Sequence, residues 1–305
     1  LAKALATNPR ALMWFHMGHC LRSSLQSAPS AAIAANVLTS AASSIEDRYD
    51  AARILQMTLG DVGPVKNRPL MFDGYAPALS LSSIERELNP IMTKVAAAFP
   101  SGDPRLDHEL IRLIAMTAPL NRELYSRLLA SITDSTLPAD DIHRLAAISQ
   151  FAIERSHDES VTTAKVLLGI DIKIRKYSLK QDTNWDDRIG ELYQALCKVD
   201  PAMPTLLPEQ PGFGEPGHVL FLTQVPQGSI PKAIDGLVKT IEADPGYKWS
   251  NDVVFTIGES KLPEHMELLR KQLDNLSVRD SVLITIADRA TKEDREILLS
   301  GLESI

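Results

Sequence analysis

Seven histidines and two cysteines are the residues from which this 305-residue sequence would build a metal site or a base working near neutral pH. His16, His19 and Cys20 lie close together in Trp14-Phe15-His16-Met17-Gly18-His19-Cys20. On a helix, i and i+3 would put both imidazoles on one face. Zinc asks for three or four such ligands, and no second local cluster of His or Cys completes the set. Packing or surface histidines are therefore the expectation, with no metal. Asp140, Asp141 and His143, beside His157-Asp158, form the second set. A hydrolase would pair such a carboxylate with a histidine, but no nucleophile elbow of the Gly-x-Ser-x-Gly kind accompanies them. The two aspartates after Pro138 suit the first turn of a helix, where negative charge meets the dipole. In Gln181 to Asp187, Asn184 reads as a cap and Trp185 as a core anchor. Gly212, Gly214 and Gly217 stand among prolines with no strand before them and no helix after, which argues against a nucleotide loop. Trp14, Trp185 and Trp249 fall on helical segments and are expected in the core. No catalytic, cofactor-binding or metal-binding residue is assigned, and no cofactor is expected.

The elements that position these residues are expected to be helices. Aromatics make up only 5% of the chain, a balance that suits helix on helix better than sheet faces. The net charge of -7 offers no basic field for phosphates, so nucleic acid is excluded as a partner. No apolar run is long enough to span a bilayer, and Leu1 to Arg10 lacks the apolar core of a signal peptide. The start at Leu1 suggests a fragment or a processed chain, which leaves the compartment unknown. Cys20 and Cys197 are too few for a disulfide framework and are expected as buried thiols.

Helix starts are marked by a side chain that can accept from an orphan amide, with an acid three residues on. Ser44 with Asp47, Ser82 with Glu85, Ser277 with Asp280 and Thr291 with Asp294 fit, and Asp103-Pro104 sets a cap before a proline. After it, Leu106, Leu110, Leu113 and Ile114 form an inward stripe while Arg105, Glu109 and Arg112 face water. The pattern predicts helices near 9–25, 30–43, 45–59, 82–98, 104–117, 121–132, 139–155, 160–180, 185–198, 231–243, 249–258, 263–275, 278–288 and 292–303. Pro90 is expected to kink or split the fourth, with a break there. Short connections imply antiparallel neighbours.

The segment Ser277 to Ile305, with Val278-Arg279, Ala287-Asp288-Arg289 and Asp294-Arg295 among Leu and Ile stripes, resembles HEAT-type helical repeats. Asp47 to Gly60 does so too, and Asp103 to Lys198 more weakly. The resemblance is to repeat segments of large bacterial multidomain proteins, including extracytoplasmic ones that carry c-type haem or other redox modules elsewhere. This chain holds no Cys-x-x-Cys-His site. The resemblance implies an all-α solenoid of antiparallel helix pairs, serving as a protein-binding scaffold or interdomain module without chemistry of its own. The alternative is an accessory helical domain of a redox or haem enzyme.

Five blocks follow: helical repeats at 1–60, a loop or linker at 61–81, helical repeats at 82–200, a Pro/Gly-rich insertion at 201–229 and helical repeats at 230–305. The two irregular stretches either cover the ends of helix stacks or dock a neighbour. Within the insertion, His218, Val219, Leu220, Phe221 and Leu222 form an apolar run, as one short strand or an extended packing segment. Those five are the candidate contacts for a protein partner or for another domain of the same polypeptide.

Overall fold

Several helices open where a side chain satisfies their first amides. The computed structural model describes residues 8–22, 28–61, 68–77, 85–118, 120–260, 262–288 and 290–302. Ser44 accepts from the Asp47 amide at 3.2 Å, and Asp103 accepts from the amides of Arg105 and Leu106 at 2.9 and 3.1 Å. Ser156 and Glu159 form a full capping box, a Ser-x-x-Glu signal present in the sequence, so that helix begins at His157 rather than near residue 160. Thr291 and Asp294 form the expected box. Ser277 does not cap: its hydroxyl bonds Asn275 at 2.7 Å, and the next helix starts behind Val278. The expected cap at Ser82 lies outside the described residues.

The helices are α1 (Pro9–Arg22), α2 (Ala28–Thr39), α3 (Ile45–Thr58), α4 (Glu85–Ala97), α5 (Pro104–Thr117), α6 (Arg122–Ala130), α7 (Pro138–Ile148), α8 (His157–Lys176), α9 (Trp185–Val199), α10 (Met203–Leu206), α11 (Ile230–Ala243), α12 (Asn251–Glu259), α13 (Pro263–Arg270), α14 (Arg279–Ala287) and α15 (Arg295–Leu302). The described residues contain no strand, and none of their helices is long and apolar enough to cross a membrane.

Two compact units divide the chain: Leu1–Arg155 with Asp187–Val199, and Ser156–Asp186 with Asp200–Ile305. In the first, α3 packs on α1, α2 and α5, while α5 packs in turn on α7 and α4. Alternate helices thus lie side by side. Met13, Leu38, Ile54, Leu55, Leu106, Leu110, Leu113, Tyr125 and Phe151 fill its core. In the second unit, α12 packs on α13 and α14, and α14 also contacts α13 and α15. Leu237, Val253, Ile257, Leu269 and Val282 are buried there.

Several expectations are corrected. Pro90 sits inside α4 without ending it, at an exposed position. The helix expected to reach residue 155 stops at Ile148, whose carbonyl accepts from the Arg155 guanidinium at 3.1 Å, so Phe151 enters the core from outside a helix. Trp14 is 63% exposed, because α1 turns Met13, His16 and Cys20 inward and leaves Trp14 and Phe15 outside. Trp185 and Trp249 are half-buried, as is Cys197, whereas Cys20 is fully buried.

Candidate functional site

Two polar clusters contain the histidines with chemical potential, one in each unit. In the first, α5 lies between α3 and α7, and its polar residues are therefore drawn inside. Glu109, expected to face water, is buried, and Arg112 is half-buried. Gln56 on α3 donates to the Glu109 carboxylate at 2.6 Å and to its backbone carbonyl at 3.1 Å. Arg53 and Arg112 approach the same carboxylate oxygen at 3.4 and 3.8 Å. Tyr49, Arg53 and Gln56 recur every three to four residues on one face of α3, and that spacing is the sequence signal for this cluster.

His143 on α7 completes it. Its Nε2 lies 2.9 Å from the His108 carbonyl and its Nδ1 lies 2.6 Å from the Tyr75 hydroxyl. A carbonyl only accepts, so Nε2 carries the proton and Nδ1 accepts from the phenol. The His108 ring stacks on His143 with centroids 3.6 Å apart and planes 7° from parallel. Burial, reinforced by the neighbouring His108, lowers the His143 pKa to about 3. Burial likewise pushes the Tyr75 hydroxyl up to about 12. Tyr75 comes from the irregular stretch after α3, and no local pattern in the sequence would place it here. Gly74 permits the approach: its φ is 79°, and a Cβ there would stand 2.5 Å from the Arg112 guanidinium. The stretch is held a second time where the Met71 amide donates to Glu191 of α9 at 3.0 Å.

The companion aspartates serve the helix start. Asp140 and Asp141 occupy the first turn of α7, and buried Asp141 accepts from the Thr136 hydroxyl at 2.5 Å. His16 lies 2.9 Å from the Ser30 hydroxyl and is buried, whereas His19 on the same helix is exposed, so the pair does not converge. His157 is an exposed first-turn residue of α8.

In the second unit, the apolar run of the insertion is a 3-10 segment, Pro216–Gln224, and not a strand. His218, Phe221 and Leu222 are buried, while Val219 and Leu220 are partly covered. His218 Nδ1 accepts from the Gly214 and Glu215 amides, each at 3.2 Å, so in the neutral ring the proton sits on Nε2. That proton-bearing side lies 3.7 Å from Asp171 of α8. Burial lowers the His218 pKa to about 4, with the Leu168 carbonyl opposing, and burial raises that of Asp171. Around this point, Arg175 donates twice to Glu215 at 2.8 and 2.9 Å, and Tyr247 donates to the Gly214 carbonyl at 2.9 Å. Nearby, the stretch from Pro204 to Phe213 and α11 border a groove of about 660 Å³, with Glu209, Lys232, Asp235 and Lys239 in its lining.

The chain is thus an all-helical protein in two units, each with a buried neutral histidine that fixes a stretch of irregular backbone. Comparison with family models, with curated proteins and with solved structures gives no match.

Proposed function

We propose that the chain is a scaffold of HEAT-like helical repeats that binds a protein segment and carries out no reaction itself. The observation that carries this reading is the alternate packing in the first unit, α1 on α3, α3 on α5 and α5 on α7. Stacked helix pairs bring alternate helices together in this way, and each pair then contacts only its neighbours. The polar groups that resemble chemistry support it from another side. Both His143 nitrogens and the Glu109 carboxylate are engaged in bonds between elements, as a framework requires.

The docking site in this proposal is the groove between α11 and the Pro204 to Phe213 stretch, rather than the buried apolar run behind it. Glu209 and Lys232, which pair with each other, and Asp235 with Lys239 place both signs of charge along the groove, where a bound chain could exchange for that pair. A photo-reactive residue at Lys232 or Lys239, introduced into the protein in its native host, should crosslink one protein repeatedly, or another part of the same polypeptide. The same group at Lys165, exposed on α8, should not. Equal crosslinking from all three positions, or none from the groove with helical content intact, would refute the scaffold reading.

A further inference from the structure

A second, smaller cavity of about 320 Å³ lies in the second unit, and its lining differs in kind from that of the groove. Ile241 and Leu268 contribute apolar surface, Tyr247 and Trp249 contribute two aromatic rings, and Glu242 and Asp244 contribute carboxylates. The two rings have centroids 5.9 Å apart and planes inclined at 81°. They therefore form two nearly perpendicular sides of one cavity. Trp249 remains half-buried, so its ring is accessible to a ligand.

Tyr247 is fixed by its bond to the Gly214 carbonyl, and Asp244 by accepting from the Gly246 amide at 2.9 Å. The cavity is in this respect assembled in advance. Its electrostatics have one sign: among the described residues no basic side chain lines it, while Glu242 and Asp244 do. The Tyr247 hydroxyl is pushed well up, first by burial and then by the charges of Glu215 and Asp244. An aromatic face attracts a cation through its quadrupole, most strongly where water is partly excluded, and carboxylates at the mouth add to the attraction. A neutral apolar guest would gain nothing from those carboxylates, and an anion would be repelled.

We propose that this cavity binds an alkylammonium cation, with Trp249 and Tyr247 against its methyl or methylene groups and Glu242 and Asp244 opposite its charge. The same chemistry is presented by a lysine side chain, methylated or not, and by a free quaternary amine. The inference does not rest on the scaffold reading, since a free amine could fill the site of a protein with any role.

Choline and its neutral isostere 3,3-dimethylbutan-1-ol have the same shape and differ in charge, which makes them the deciding probes. Titration should be followed through the Trp249 indole N–H resonance of the 15N-labelled chain, assigned by Trp249→Phe. Choline should shift the resonance to saturation, and the isostere should bind about tenfold more weakly. Trp249→Ala should abolish saturable binding, Trp249→Phe should retain part of it, and E242Q with D244N should weaken it, the more so at low salt. Binding to the Ala and Phe variants, which lack the indole, is read from ligand-observed signals. A peptide with a single trimethyllysine that binds more tightly than choline assigns the cation to a protein, and equal or weaker binding assigns it to a free amine. Equal affinity for choline and its isostere, no saturation with choline, or unchanged binding by a folded Trp249→Ala variant would each overturn the proposal.

Discussion

His143 and His218 are both buried and both neutral, yet they hold different things by different means. His143 uses its two nitrogens on two elements, accepting from Tyr75 and donating to the His108 carbonyl, so it joins α7, α5 and a distant irregular stretch. His218 uses one nitrogen on two adjacent amides, and thereby folds its own segment into a tight turn. The first is a long-range clamp and the second a local one. The difference teaches that one residue type, under similar burial, fixes tertiary packing in one unit and backbone shape in the other.

The most severe way to break the local clamp is to place a charge behind it. Phe221 is 2% exposed and its ring lies 5.7 Å from that of His218. Phe221→Asp should destabilise the second unit by roughly 4 kcal/mol or more, combining a lost aromatic with a buried charge. An unchanged denaturation midpoint would show that the segment is free to leave the core and dock elsewhere.

Acid should separate the two clamps next. Both histidines have folded pKa values below 6.5, so the unfolded chain takes up the proton first. Their contribution to stability is complete above pH 6.5 and is lost as pH falls, at about 1.4 kcal/mol per pH unit for each group. The loss ends near pH 4 for His218 and near pH 3 for His143. Asp171 works the other way: its raised pKa lets the folded state take up a proton earlier, which offsets part of the loss in the second unit. Between pH 6.5 and 4, hydrogen exchange should therefore show the region around His143 losing protection faster than that around His218. His143→Phe should flatten the dependence in its own unit alone.

Backbone substitutions probe the clamps more gently. Gly214 has a φ of 118° and a Cβ there would lie 2.5 Å from the Thr240 side chain, whereas at Gly74 the φ is 79° and the neighbour is the end of a flexible arginine. Gly214→Ala should cost about 2–3 kcal/mol and Gly74→Ala about 1–2 kcal/mol, measured by urea denaturation. The opposite order would mean that the Arg112 guanidinium cannot move. The smallest effect is expected at the bidentate pair of Arg175 and Glu215, which is partly exposed. Glu215→Gln should change stability by no more than about 1 kcal/mol, and less in high salt.

Helix positions were legible because their causes are local. The caps at Ser44, Asp103 and Thr291 and the stripe from Leu106 to Ile114 each lie within one or two turns of sequence. The prolines and glycines after α3 and α9 marked where those helices end. The candidate sites were legible only in halves. His143 stood out, but its partner Tyr75 is 68 positions away in sequence. Glu109 matched the water-facing side of an amphipathic helix until α3 was packed against it.

What the sequence by itself determined is therefore the all-helical class, most helix starts and the acidic balance, since each follows from near neighbours and from composition. The tertiary structure alone decided which faces became interior, and with that the neutrality of His143 and His218, the burial of Phe221 and the meeting of Tyr247 with Trp249 beside two carboxylates. The physical reason is that desolvation and side-chain proximity depend on which elements pack together, and residues far apart in sequence do not encode that in any local pattern.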